Sequence, residues 1–134
     1  MIIPVRKANG IIYPTNTCFD DALDLIGDII TVHPRRRGTL FLVHALCKPE
    51  KEIFAHAWVE EGEEAYWFGI LNKQRMLFGS PRKKYRTGLG AFDITRYSVK
   101  HAAQENNRTN HYGPWIDRYQ KYCKERGRII SALS

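Results

Sequence analysis

Apolar residues recur at three- and four-residue spacing from Phe19 onward: Phe19, Ala22, Leu23, Ile26, Ile29 and Ile30. That period marks one face of an α-helix. Thr17, with Asp20 three residues later, has capping-box form, so Thr17 is the expected N-cap and Cys18 the first helical residue. The helix is expected to stop before His33-Pro34, because the residue preceding a proline avoids the helical region. Upstream, Ile11-Ile12-Tyr13-Pro14 reads as a short extended stretch ended by proline.

The pattern then changes period. Residues 39–47 are rich in Leu, Phe and Val. Residues 53–60 alternate, with Phe54, His56, Trp58 and Glu60 on one face and Ile53, Ala55, Ala57 and Val59 on the other. Residues 65–71 are aromatic and aliphatic, and 73–78 offer a fourth strand. The breaks between them are short and polar, as between antiparallel neighbours. Residues 95–105 read as a helix with a weak apolar stripe, 106–113 as a polar loop, and Pro114 as the opening of a last helix with Trp115, Ile116, Tyr119 and Tyr122 on one side. A helix, an antiparallel sheet and then C-terminal helices make an α+β domain. One domain over 1–134 is expected, with a core over about 11–79 and a basic helical part over about 80–134.

Charge sharpens that division. Residues 1–72 carry seven Lys/Arg and ten Asp/Glu; residues 73–134 carry fourteen and four. Two segments concentrate the cations: Arg35, Arg36 and Arg37 in one, and Arg82, Lys83, Lys84 and Arg86 in the other. Both read as basic loops. They are either solvated faces or contacts to an acidic partner such as nucleic acid, held through phosphates without reading sequence. No apolar run has the length of a membrane span, and the N-terminus lacks the order of a secretory signal, so no membrane partner and a cytoplasmic setting are expected. The three cysteines, Cys18, Cys47 and Cys123, suggest neither a disulfide framework nor a zinc site, and no metal or organic cofactor is implied.

Cys18 carries the candidate chemistry. A helix N-terminus and a nearby imidazolium both lower a thiol pKa. Cys18 has the first and His56 could supply the second, acting as base and then as acid. A third group must orient the imidazole, and Asn72 is suited to it. Asn72 followed by Lys73 is equally ordinary turn chemistry. His44 on the preceding strand is an alternative partner for Cys18. Asp20 and Asp21 would oppose ionisation of the thiol if they face it.

The run Phe54-Ala55-His56-Ala57-Trp58-Val59-Glu60 resembles the histidine strand of the papain-like and transglutaminase-like cysteine enzymes. In that superfamily a nucleophile opens a helix, a later strand carries the base, and the next strand ends at Asp or Asn. Cys18, His56 and Asn72 fall in that order, so the resemblance spans about residues 16–72. It implies a papain-like fold and a Cys-His-Asn enzyme that hydrolyses or transfers acyl groups through a thioester on Cys18. Its substrate would be a peptide or protein amide. Asn16 or Tyr13, with the Cys18 backbone N–H, would line the oxyanion site; Trp58, like Trp67, reads first as a core residue and second as a substrate platform. Two other readings remain: a basic nucleic-acid-binding protein, and an inactive papain-like binding module.

Overall fold

The computed structural model describes residues 5–8, 12, 14–15 and 17–123. Its elements run β1 (Arg6–Lys7), α1 (Cys18–Val32), a 3-10 turn (Pro34–Gly38), β2 (Leu40–Cys47), β3 (Phe54–Glu61), β4 (Glu64–Leu71), β5 (Gln74–Pro81), α2 (Arg82–Gly88), β6 (Ala91–Ser98) and α3 (Val99–Thr109). Residues 117–123 form a further helix, α4. The strands make one six-stranded sheet in the order β1-β5-β4-β3-β2-β6. All neighbours are antiparallel except β1, which runs parallel to β5. The architecture is α+β. Among the described residues, no helix is long and apolar enough to cross a membrane.

The two central strands explain the composition. β2 and β3 are buried along nearly their whole length because helices cover both sides of them. Leu40, Leu42, Ala55, Ala57, Val59, Phe68 and Leu77 pack beneath α1, together with Tyr97, Ala102, Trp115 and Tyr119. The opposite face gathers Val43, Ala45, Cys47, Trp58, Trp67 and Phe78 under Tyr85 of α2 and Leu89. The alternation expected for residues 53–60 is therefore real: one set of side chains goes to each face.

α1 buries Phe19, Ala22, Leu25, Ile26 and Ile29. Each large aliphatic among them contributes roughly 1.5–3 kcal/mol of transfer free energy. The stripe is rotated from the expected one: Leu25 points inward, while Leu23 and Ile30 are only partly covered. Thr17 is the N-cap but makes no side-chain cap bond. Its hydroxyl instead donates to the Asp21 carboxylate at 2.9 Å, as does that of Thr15.

Three expectations change. Residues 82–88 are not a loop but α2, whose Tyr85 packs on the sheet. The helix expected from about 95 is strand until Ser98, and β6 pairs with β2 along the sheet edge. Ser98 then caps α3 by accepting from the backbone N–H of His101 at 3.1 Å. The last helix starts at 117 rather than at Pro114. Of the early extended stretch, Ile11 and Tyr13 lie outside the described residues, while Pro14 forms an isolated bridge with Gly69.

Candidate active site

His56, Trp58 and Glu60 follow one another on a single face of β3, and each is fully buried. A buried carboxylate needs partners. Glu60 accepts from the Trp58 indole N–H at 2.9 Å and from Arg86 through Nε at 2.8 Å and Nη2 at 2.7 Å. Arg96 of β6 adds a contact at 3.2 Å. Arg86 belongs to α2, so this ion pair holds α2 down on the sheet. The residue before it, Tyr85, reaches the histidine: its hydroxyl lies 2.8 Å from His56 Nε2. Burial pushes the Tyr85 pKa well above the ordinary tyrosine value, and charge at Cys47 or at Cys18 would raise it further. A neutral phenol therefore stands against the imidazole.

Cys18 arrives from the other side of the sheet, through an opening. β4 and β5 pair over eight residues each. β3 and β4 pair only from Val59 and Tyr66 to the turn at Glu61 and Glu64. Beyond Val59 the two strands part. The chain entering α1 takes up the vacated edge of β4: Pro14 bridges Gly69, and the Thr15 N–H donates to the Phe68 carbonyl at 3.2 Å. The first turn of α1 is thereby delivered to the gap. A small cavity there is lined by Cys18, Leu25, Ala57, Trp58, Trp67 and Phe68. Ala57 and Phe68 belong to the α1 face, Trp58 and Trp67 to the opposite face, so Cys18 faces a break in the sheet.

The surroundings of this thiol are mixed. A helix N-terminus favours the thiolate, while the 7% exposure of Cys18 opposes it. The two acidic neighbours separate. Asp20 is exposed. Asp21 is buried, but its charge is answered by Arg75 at 2.9 Å and by the Thr15 and Thr17 hydroxyls. Arg75 in turn lies over the Phe68 ring, 3.7 Å from its centroid.

Asn72 does not join this cluster. It is an exposed residue of the β4–β5 turn, in the left-handed region at φ 52° and followed by Lys73 at φ 63°. The turn reading of Asn72 is the one the geometry supports, since the observed hydrogen-bond partner of His56 Nε2 is Tyr85. Asn16 and Tyr13 lie outside the described residues. Trp58 is a fully buried brace between His56, at 5.2 Å ring to ring, and Glu60, rather than a substrate platform.

His44 is fully buried on the α1 face, ringed by Phe19, Tyr97 and Trp115 at 4.8–5.1 Å. Neither of its ring nitrogens has a hydrogen-bond partner among the described residues. Burial lowers its pKa to about 3, so it is a neutral core residue.

The basic segments also divide. Arg36 makes a bidentate pair with Glu61, and Arg86 is committed to Glu60. Arg35, Arg37, Lys83 and Lys84 are exposed. Thus part of the positive charge is structural, which weakens the case for a continuous phosphate-binding face.

Tyr85 and Glu60 are the site residues that sequence reasoning missed. Glu60 shares the strand face of His56, which was a usable signal. Tyr85 had none, because it sits among cations in a segment that reads as solvated. No protein-family model, curated protein or solved structure matches the chain. Among the described residues, no group of three or more His, Cys, Asp or Glu side chains is placed to hold a metal ion.

Proposed function

We propose that this protein is a thiol-dependent amide hydrolase or acyltransferase of papain-like or transglutaminase-like type, with Cys18 as nucleophile, His56 as base and acid, and Tyr85 as the group that orients the imidazole. The observation that carries this reading is the opening between β3 and β4. It brings the helix-N-terminal Cys18 to Trp58, which packs on His56 at 5.2 Å and on Tyr85 at 5.5 Å ring to ring.

For His56 to take the thiol proton through Nδ1, the Tyr85 oxygen accepts from Nε2–H, which leaves Nδ1 as the basic nitrogen. The Cys18 thiolate attacks the amide carbonyl carbon and forms the C–S bond. The imidazolium gives its proton to the leaving nitrogen as the C–N bond breaks. Water or an amine then attacks the thioester, His56 takes its proton, and the C–S bond breaks to restore the thiolate. Tyr85 stays protonated throughout and serves by position alone, as an amide or carboxylate does in related arrangements.

The test is alkylation of Cys18 by iodoacetamide, followed by mass spectrometry across pH. Cys18 is expected to react well below pH ~8.5, the ordinary thiol pKa, and His56→Gln to move its profile upward. A Cys18 no more reactive at pH 6 than Cys47 or Cys123 would reject the enzyme reading and leave a binding module.

A further inference from the structure

Beside Tyr85 lies a second, larger cavity of about 540 Å³, lined by Ile12, Trp67, Pro81, Tyr85 and Leu89. That volume falls in the range of pockets that enclose a small ligand. Its walls are apolar and its geometry is fixed. Trp67 and Tyr85 stack with centroids 4.0 Å apart, and the Trp67 indole N–H donates to the Ile12 carbonyl at 2.9 Å. Trp67 also lines the small cavity at Cys18. Trp67 is therefore common to the two cavities. Tyr85 joins the pocket to His56 in the same way.

The rim has a definite sign. Lys83 and Lys84 of α2 border the cavity. Both are exposed, and neither is in an ion pair among the described residues. The neighbouring Arg82 adds to the same field, whereas Arg86 is neutralised by Glu60. An apolar hollow with two exposed lysines on its α2 rim selects a ligand with the opposite arrangement: a large apolar group beside negative charge.

We infer that this cavity is the substrate side-chain pocket, and that its occupant is an acidic peptide segment whose bulky aromatic or aliphatic residue enters between Trp67, Tyr85 and Leu89 while its carboxylates meet Lys83 and Lys84. The position of the scissile amide near Cys18 rests on the thiol reading above. The binding itself does not.

The experiment uses the full chain carrying Cys18→Ser, so that no chemistry interferes. Fluorescence anisotropy follows a fluorescein-labelled hexapeptide with one phenylalanine between aspartates. Control peptides replace the phenylalanine by glycine, or the aspartates by lysines. The phenylalanine and the aspartates are each expected to strengthen binding about tenfold or more. Lys83→Glu with Lys84→Glu should remove the preference for aspartate over lysine. Thr87→Trp, at an exposed lining position, should fill the pocket and remove the preference for phenylalanine. Circular dichroism confirms that both variants are folded. Equal binding of all three peptides, no binding at millimolar concentration, or a preference untouched by the variants would each overturn the pocket. The low-pH alkylation of Cys18 is read separately in wild type, so either idea can fail while the other stands.

Discussion

Two fully buried histidines lie on neighbouring strands and opposite faces of one sheet, and they differ in everything except burial. His44, under α1, sits in a ring of aromatics, and neither of its nitrogens has a hydrogen-bond partner among the described residues. His56, under α2, is tied to a phenol and stacked near a tryptophan that is itself pinned by a carboxylate and two arginines. Burial alone makes a histidine inert, as the low pKa of His44 shows. A polar network fixes where a ring points and which nitrogen is engaged. Both faces carry a buried apolar cluster, but on the α2 face buried polar groups also arrange one imidazole.

The contrast is most easily broken at Glu60. Glu60→Ala strands Arg86, Arg96 and the Trp58 indole around a vacated site, and should cost about 3–5 kcal/mol by urea denaturation. It should also loosen α2 and with it the Tyr85 contact to His56. A loss below about 1 kcal/mol would mean that the network is dispensable.

His44 sharpens the other side. Its folded pKa is about 3, against 6.5 when unfolded. Between those values the unfolded chain binds the extra proton, so stability falls as pH drops from 6.5 toward 3. The loss approaches about 1.4 kcal/mol per pH unit inside that window, and nothing further is lost below it. His44→Leu should flatten this acid limb in urea titrations at pH 4 and pH 7. An unchanged limb would assign acid sensitivity to other groups.

The smallest effects separate the two candidates for the group that orients His56. Tyr85→Phe leaves a buried Nε2 without its partner, worth about 1–3 kcal/mol, and should shift the Cys18 alkylation profile. Asn72→Gly keeps the left-handed turn and should change stability by no more than about 0.5 kcal/mol. Its alkylation profile should match wild type. A shift as large as that of Tyr85→Phe would restore Asn72 to the site.

Local periodicity was enough to read α1, β2, β3, β4 and most of β5 from the chain, because each has a long buried face and short polar boundaries. It also placed His56, Trp58 and Glu60 together, since alternation in a strand is a local property. Residues 95–98 read as helix, and 91–94 as no element, because an edge strand has one neighbour and is exposed along much of its length, leaving little pattern to see. Residues 82–88 were misread because their cations dominate the composition, while the lone inward side chain, Tyr85, is invisible to a periodicity search over seven residues.

Cys18 at the head of a helix, His56 on a strand and the sign of each charged segment belong to the sequence itself. Only the tertiary structure decided that β3 and β4 part beyond Val59, that Cys18 fills the break, and that Tyr85 rather than Asn72 meets the imidazole. The physical reason is range. Helix and strand faces are set by residues a few positions apart, whereas the site depends on contacts between α1, β3 and α2, across separations such as the 29 residues from His56 to Tyr85. Packing of the whole sheet alone brings those segments together.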